Sequence, residues 1–351
     1  MMRAMGASAL VLALAAPALA NDTMAQLGAG GLHFITNDKI EMASEDLYVS
    51  PTEVRVAYEF NNISGVPQTI LVAFPMPDIA GTGNFMTDVP VQHTDEDGKP
   101  LIADPDNLFG FETTFNGVPV DAELHQYAFA SNIDYSATLR ELGIPLEPFG
   151  EATTAALTAL DDDQASRLIS RGLAYRSDFD AGNGWESELI PLWTLRSTYS
   201  WEATFEPGIS EVLHTYRPSV GGTVAITFMP VKGDEFSEER FAEYAKKYCV
   251  EDNLVATLRK KEIQQDGYTS YPYVENWISY IWSTGNNWSG PIGKFTLTVD
   301  KGEVDNLVSF CGEGVKKIGP TTFQMTAEDW FPPWDQELEI LLLKPVDWFD
   351  E

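Results

Sequence analysis

Basic residues are scarce in this chain. Lysine and arginine together number 22 among 351 residues, whereas aspartate and glutamate number 53, so the formal net charge at pH 7 is −31. The few cations are not clustered, and a nucleic acid duplex or an anionic membrane surface would therefore repel the chain. This charge balance argues against nucleic acid as a partner.

Long apolar runs are missing as well. Ala7 to Ala16 is an apolar stretch, but a membrane span needs about 20 such residues. Arg3 precedes the stretch, and Pro17-Ala18-Leu19-Ala20 follows it with the small–x–small pattern of a signal peptidase site. We expect residues 1–20 to be a signal peptide that is cleaved after Ala20, which leaves no membrane span. An uncleaved anchor is the alternative.

Cysteine is limited to Cys249 and Cys311. In an exported protein, two cysteines most simply form one disulfide, and two buried thiols are the alternative. Their spacing is neither CxxC nor that of a metal knuckle, so it does not indicate a redox-active pair. If they are bridged, we expect the disulfide to join a helix to a strand.

Signatures of metal or nucleophilic catalysis are absent. The four histidines, at positions 33, 93, 125 and 214, lack the local spacing of zinc ligands. The chain contains no G-x-S-x-G, S-x-x-K, P-loop or dinucleotide-binding motif. We therefore predict no catalytic residues, no metal site and no cofactor.

Acidic clusters leave weaker alternatives open. Asp95–Gly98, Asp104–Asp106 and Asp178–Asp180 place carboxylates on turns, but they lack the bidentate glutamate that closes an EF-hand loop. Solvated turns are the prediction there, and a bound calcium ion is the alternative. Glu186 and Glu188 could serve as the acid and base of a glycoside hydrolase, although close pairs arise by chance among so many acidic residues.

Period-two alternation predicts strands over most of the chain. Glu53–Phe60 alternates as a half-buried strand does, Thr69–Phe74 is almost continuously apolar, and the short polar segment between them predicts an antiparallel hairpin. Asp97-Gly98 and Asn116-Gly117 signal further hairpins. We expect later strands at 193–205, 211–218, 223–229, 273–282, 295–299, 307–311 and 338–343, with a turn at 221–222.

Helices are predicted in two places. Residues 134–173 hold short helical segments, one of them capped by Asp161–Asp163 and stopped by Gly172. Residues 237–248 form an amphipathic helix that starts at Ser237 and is closed by Cys249.

The whole pattern predicts a mainly β fold with helical insertions (α+β), built as two antiparallel β-sandwich-like domains. Residues 21–232 would form the N-terminal sandwich, with the helical insertion at about 134–173. Residues 233–351 would form a helical segment and a C-terminal β domain tied by the disulfide.

Several short segments carry a family resemblance when they are taken in order. They are Asn21–Ala25, Gly30–Leu32, Glu45–Val49, Val72–Pro77, Tyr216–Gly222, Tyr248-Cys249, Thr284–Gly293, Val299–Gly302 and Val308–Gly312. Together they resemble the bacterial family called domain of unknown function 4424 over the whole mature chain. The resemblance implies an exported bacterial protein whose two cysteines belong to the family pattern, and it implies no activity.

Aromatic residues are concentrated between Tyr268 and Trp288. Exposed aromatic faces stack on sugar rings and other flat apolar surfaces, whereas packing in the core is the alternative. We select Tyr271, Trp282 and Trp288 as a candidate surface for a ligand or partner, with the loop 284–293 as its edge.

These observations favour a periplasmic or secreted bacterial protein with a binding or structural role in the cell envelope and no enzymatic activity. Its partner would be an envelope protein or a glycan. The alternative is a hydrolase that acts on envelope polysaccharide with a pair of acidic residues.

Overall fold

A computed structural model describes residues 22–28, 31–81, 87–88, 99, 102, 107–180, 182, 184–265 and 267–347. The expected signal peptide, the acidic turns at 95–98 and 104–106, and the Asp97-Gly98 hairpin signal lie outside these residues. The described chain is mostly β-strand with short helices in two places, which confirms a mainly β fold with helical insertions.

The strands follow one another along the whole described chain. They are β1 Thr23–Gly28, β2 Gly31–Ile35, β3 Ile40–Val49, β4 Val54–Asn62, β5 Gln68–Pro75, β6 Ile79–Ala80, β7 Thr87–Asp88, β8 Glu112–Phe115, β9 Val118–Val120, β10 Glu123–Ala130, β11 Ile133–Asp134, β12 Ala174–Asp180, β13 Trp185–Pro191, β14 Thr194–Phe205, β15 Gly208–Tyr216, β16 Val220–Thr223, β17 Ile263–Gln265, β18 Tyr268–Ser270, β19 Tyr273–Tyr280, β20 Ile292–Asp300, β21 Leu307–Phe310, β22 Lys316–Lys317, β23 Thr322–Trp330 and β24 Leu338–Pro345.

The helices fall into two groups along the chain. They are α1 Ser136–Glu141, α2 Gly150–Thr158, α3 Asp162–Ser170, α4 Glu235–Tyr248 and α5 Asp252–Arg259, and a 3₁₀ turn spans Ser283–Asn287. α1 to α3 lie within the predicted region 134–173 and α4 covers the predicted helix at 237–248, whereas α5 was not predicted.

Three larger sheets organise these strands. The eight-stranded sheet has the order β22-β23-β20-β3-β4-β15-β8-β9, and the five-stranded sheet has the order β21-β24-β19-β16-β7. The seven-stranded sheet has the order β11-β10-β14-β5-β1-β2, with β6 also paired to β14. Two hairpins, β12–β13 and β17–β18, form small sheets of their own.

The eight-stranded and seven-stranded sheets pack face to face through aromatic side chains. Phe60 of β4 meets Phe205 of β14 with ring centroids 5.7 Å apart, and Phe74 of β5 lies 5.2 Å from Phe111. Val54, Val56, Tyr58 and Phe60 are all buried, as the alternation in this segment predicts. Burial of these rings supplies the main driving force for joining the two sheets.

The predicted hairpin between residues 53–60 and 69–74 is wrong, although both strands exist. β4 pairs with β3 and β15, whereas β5 pairs with β1 and β14 in the other sheet. The buried Asn62 turns the chain between the sheets, because its amide nitrogen donates to Val66 O and Phe205 O, each at 2.8 Å. Its Oδ1 accepts from the backbone N of Ser64 at 3.0 Å.

The predicted turn at Gly221-Gly222 is also wrong, because these residues lie within β16 and pair with β19. A Cβ on Gly222 would lie 2.8 Å from the carbonyl oxygen of Glu275, so glycine permits the close approach of the two strands. The strand expected at 223–229 ends at Thr223.

The local signals for the start of α3 and for one hairpin are confirmed, whereas the signal for the start of α4 is wrong. Asp161 caps α3 in a capping box, in which its carboxylate accepts from Gln164 N at 2.7 Å and Asp161 N donates to the Gln164 side chain at 3.0 Å. Asn116 and Gly117 take positive φ angles in the turn that joins β8 to β9. α4, however, begins at Glu235 with Asp234 as its N-cap residue, and Ser237 lies inside the helix.

The disulfide between Cys249 and Cys311 is present, with the two Cα atoms 5.0 Å apart. Cys249 is the left-handed residue that ends α4, and Cys311 directly follows β21. The bridge therefore joins a helix to a strand, as the sequence predicts.

Strands from both sides of residue 232 meet in the eight-stranded sheet. β20, from the C-terminal part, lies parallel to β3, with Leu297 opposite Leu47. The two expected domains thus share one sheet, and their boundary at residue 232 stays a prediction.

Within the described ranges, no helix has both the length and the apolar character needed to cross a bilayer.

Candidate ligand cleft between two sheet edges

Trp282 and Trp288, two members of the predicted aromatic surface, are core residues in the structure, each 4% exposed. The Trp282 indole donates to Gln336 O at 2.8 Å, and the Trp288 indole donates to Asp22 O at 2.6 Å. Because each indole N–H finds its acceptor inside the protein, neither ring is presented to solvent. These two residues do not form the expected exposed surface.

Tyr271, the third member, is half-buried, and its hydroxyl donates to Glu262 Oε2 at 3.4 Å. Burial, followed by the charge of Glu262, raises the pKa of the Tyr271 hydroxyl above its ordinary value. A role for Tyr271 in ligand binding stays a prediction.

The acidic candidates that the structure describes lie on the β12–β13 hairpin. Asp178, Asp180, Glu186 and Glu188 are all exposed there. The described residues contain no group of three or more His, Cys, Asp or Glu side chains that could hold a metal ion.

A different site emerges where an edge of the eight-stranded sheet faces the seven-stranded sheet. A cleft of about 720 Å³ is lined by the β8–β9 hairpin, by β10 and by the β9–β10 connection at Asp121-Ala122. Phe111, Thr113 and Val120 line one wall. Leu124, Gln126 and Tyr199 line the other.

The aromatic part of the cleft is held in place by hydrogen bonds. The Phe111 and Tyr199 rings stack with centroids 4.3 Å apart and planes 16° from parallel. The Asn107 side chain ties both residues together, because its Oδ1 accepts from Tyr199 Oη at 2.5 Å and from Phe111 N at 2.9 Å. Its amide nitrogen donates to Phe111 O at 3.0 Å. Phe111 and Tyr199 are only 5% and 3% exposed, so the pair forms a packed and constrained base beneath the cleft.

Two buried polar atoms of the cleft residues have no hydrogen-bond partner in the part of the chain that the structure describes. Thr113 Oγ1 and Gln126 Nε2 make no hydrogen bond to any described residue, and Thr113 is only 5% exposed. An unsatisfied buried polar group costs about 1–3 kcal/mol, so such groups ordinarily bind water or a ligand. Thr113 lies on β8 and Gln126 on β10, so the two lining residues come from the two different sheets that flank the cleft.

A buried histidine–aspartate pair lies beside Thr113. His214 is opposite Thr113 in the β8–β15 register, and its Nε2 is 3.0 Å from Asp22 Oδ1. Both side chains are fully buried, and burial raises the Asp22 pKa, against the opposing effect of His214. His214 Nδ1 and Trp201 Nε1 also lack partners among the residues described, and their rings are 5.2 Å apart.

Two other buried carboxylates, Glu45 and Glu275, have partners of their own. Tyr280 Oη donates to Glu45 Oε1 at 3.4 Å and lies 3.1 Å from Tyr58 Oη. Glu275 accepts from Tyr244 Oη at 2.7 Å and from the backbone N of Thr227. These groups are satisfied within the core, which is typical of structural networks.

Sequence reasoning missed the cleft residues Thr113 and Gln126 and the pair His214–Asp22. One signal for His214 was available, because this histidine occupies the apolar face of β15 between Val212 and Tyr216. No local pattern marks Thr113 or Gln126, because the cleft exists only after two sheets meet.

Comparisons with known proteins give a family and a likeness to solved structures. The family model described as "Domain of unknown function (DUF4424)" matches residues 20–341. No curated protein matches the chain. A solved structure from Legionella pneumophila, provisionally described as a nutrient binding protein, is similar at 15% identity and a TM-score of 0.43, covering 93% of this chain and 70% of that one.

Proposed function

This chain belongs to the DUF4424 family, and we propose that it is an exported protein of the bacterial envelope that binds a ligand without transforming it. The signal-peptide pattern of residues 1–20 supports export to the periplasm, with cleavage after Ala20. The disulfide between Cys249 and Cys311 supports an oxidising compartment.

The cleft between the β8–β9 hairpin and β10 carries the binding proposal. Its walls combine a fixed aromatic pair with two buried polar atoms, Thr113 Oγ1 and Gln126 Nε2, which have no partner among the described residues. A concave, pre-formed site with a few convergent polar groups is typical of small-molecule sites. A bound ligand would supply the missing hydrogen bonds.

The same geometry favours binding over nucleophilic catalysis. The Thr113 hydroxyl lies on the strand next to His214, yet it makes no hydrogen bond to that imidazole. An activated nucleophile is normally within hydrogen-bond reach of its base.

Native mass spectrometry of protein isolated from its own envelope under mild conditions tests the proposal. We expect the native protein to carry an added mass that is lost on denaturation. The surface control variants Thr326→Val and Gln265→Leu should retain this mass, whereas the cleft variants Thr113→Val and Gln126→Leu should lose part or all of it. Wild-type protein that carries no added mass, or cleft variants that retain it in full, would overturn the proposal.

Hydrolysis of envelope polysaccharide is the second candidate function, because two residues with carboxylate side chains, Glu112 and Asp121, are among those that line the cleft. A hydrolase of this kind needs an acid and a second carboxylate around the scissile bond. Release of reducing ends from purified envelope polysaccharide, abolished in both Glu112→Gln and Asp121→Asn, would establish hydrolysis. Absence of release by the wild type would reject it.

A further inference from the structure

We infer that β2, the terminal strand of the seven-stranded sheet, pairs with β2 of a second copy of this chain and so forms a symmetric dimer. The sheet ends at β2, which pairs with β1 alone within the described residues. An edge strand offers a row of backbone N–H and C=O groups to any chain that can lie beside it. This inference does not depend on a ligand in the cleft.

The other ends of the three larger sheets carry features that oppose such pairing. The eight-stranded sheet ends in Lys316-Lys317 on one side and in β9, which contains Pro119, on the other. β7 and β11 are only two residues long. β21 is packed against the end of α4, where Ser309 Oγ donates to Tyr248 O at 3.0 Å. β2 has five residues and none of these protections.

The lack of charge around β2 favours a second copy as the occupant. Aspartate and glutamate make up 53 of the 351 residues, about one in seven, yet residues 23–37 contain no Asp, Glu, Lys or Arg. Two copies that each carry a net charge of −31 repel each other wherever carboxylates meet. Along this uncharged stretch that repulsion is smallest, and a strongly basic or acidic partner would find no opposite charge there. The edge therefore suits an uncharged strand, and β2 is itself such a strand.

The side chains of β2 are self-complementary in one antiparallel register. With His33 on the two-fold axis, all five residues pair, and the half-buried Leu32 lies opposite the half-buried Phe34 of the second copy. Phe34 is opposite the buried Ala25 of β1, so this pairing extends a face that is already apolar. A shift by one residue would bring unlike faces together, and a shift by two would leave only three paired residues.

The short ladder predicts a weak dimer. Five residues from each copy are fewer than the about 20–30 residues per side of a standard interface. Monomer and dimer should therefore exchange with concentration. The dimer is isologous, because each copy contributes the same strand to the contact.

Sedimentation velocity from micromolar to submillimolar concentration tests the inference on protein that is exported from its complete sequence with the disulfide intact. We expect a monomer–dimer equilibrium in the wild type. His33→Glu should weaken it about tenfold or more, because two carboxylates would face each other across the axis. Val118→Glu, at a 64% exposed position on β9, is the matched control and should change it less than about twofold.

Cross-linking through introduced cysteines locates the contact. The exposed His33 lies on the axis, so His33→Cys should cross-link two copies with a short bifunctional alkylating reagent. Gln26→Cys is the control, because Gln26 is exposed on β1 opposite His33, and the two β1 strands of the dimer would be about 14 Å apart, beyond the reach of the reagent.

A wild type that stays monomeric at every concentration would overturn the inference, even if the edge accepts an extended peptide of another protein. A dimer that His33→Glu leaves unchanged would overturn the pairing through β2. Equal cross-linking at positions 26 and 33, with unaltered thermal unfolding of both variants, would do the same.

Discussion

At the scale of single residues, Trp288 shows that a position among turn-forming residues does not determine whether a side chain is exposed. The sequence places it in a loop among turn-forming residues, which suggests exposure. In the structure its ring packs 4.5 Å from Phe60, and its indole donates to the backbone of Asp22. The physical reason is that this N–H has an acceptor inside the core, so burying the ring leaves no donor unsatisfied.

Replacement of Trp288 by alanine should therefore destabilise the protein. We expect Trp288→Ala to lower the free energy of unfolding by about 3–5 kcal/mol, because it leaves a large cavity in the core. Trp185, which is 78% exposed on β13, provides the matched control, and Trp185→Ala should cost less than about 1 kcal/mol. Urea unfolding followed by circular dichroism measures both, and equal losses would contradict the assignment of Trp288 to the core.

Glu275 should make the stability depend on pH. Burial raises its pKa above the ordinary value of 4.5, although hydrogen bonds from Thr227 and Tyr244 oppose the shift. The folded protein therefore keeps this proton to a higher pH than the unfolded chain does. The resulting stabilisation is fully present below pH 4.5 and is lost as the pH rises through the raised pKa.

Glu275→Gln removes this titration, so the free energy of unfolding of the wild type relative to the variant should fall as the pH rises from 4.5 through the raised pKa. Glu243→Gln, an exposed position on α4, is the control and should run parallel to the wild type. Urea unfolding at several pH values gives the comparison. Parallel curves for Glu275→Gln and the wild type would show that the buried carboxyl does not control this dependence.

At the scale of elements, local signals predicted most strands and helices but not which strands pair. The capping box at Asp161 and the turn at Asn116-Gly117 depend on residues a few positions apart, so the sequence contains everything they need. β4 and β5 have equally clear patterns, yet they lie in different sheets. Their partners β15 and β14 are more than a hundred residues away along the chain, where no local pattern can specify them.

The disulfide between α4 and β21 should be a large contributor to stability. The two cysteines are 62 residues apart, and closing a loop of that length contributes about 4 kcal/mol on chain-entropy arguments. We expect Cys249→Ser combined with Cys311→Ser to lower the free energy of unfolding by about 2–4 kcal/mol. Reductant should lower the free energy of unfolding of the wild type by a similar amount and leave that of the double variant unchanged. A double variant as stable as the oxidised wild type would refute the stabilising role of the disulfide.

At the scale of the whole molecule, the first residues after the proposed cleavage site belong to the core. Asp22 contacts His214 and Trp288, and Thr23 accepts a hydrogen bond from Asn287 at 2.9 Å. Cleavage before Asn21 would leave these contacts intact, which supports the proposed start of the mature chain.

We expect N-terminal sequencing of protein released by osmotic shock to begin at Asn21. Ala20→Leu, which removes a small residue from the cleavage pattern, should accumulate a precursor that is larger by residues 1–20. Ala16→Leu, which keeps the run apolar and leaves the cleavage pattern unchanged, should be processed normally. Retention of residues 1–20 in the wild type would contradict export with cleavage.

The sequence by itself determined the strand and helix content, the capped helices, the tight hairpin and the charge, because each depends on residue composition or on neighbours along the chain. The tertiary structure alone decided the sheet partners, the burial of the two tryptophans and the cleft. The buried contacts of the tertiary structure join residues that are far apart along the chain, such as Asp22 and His214, or Tyr58 and Tyr280. Hydrogen bonds and ring contacts between such residues form only once the sheets have packed, and so no local pattern encodes them.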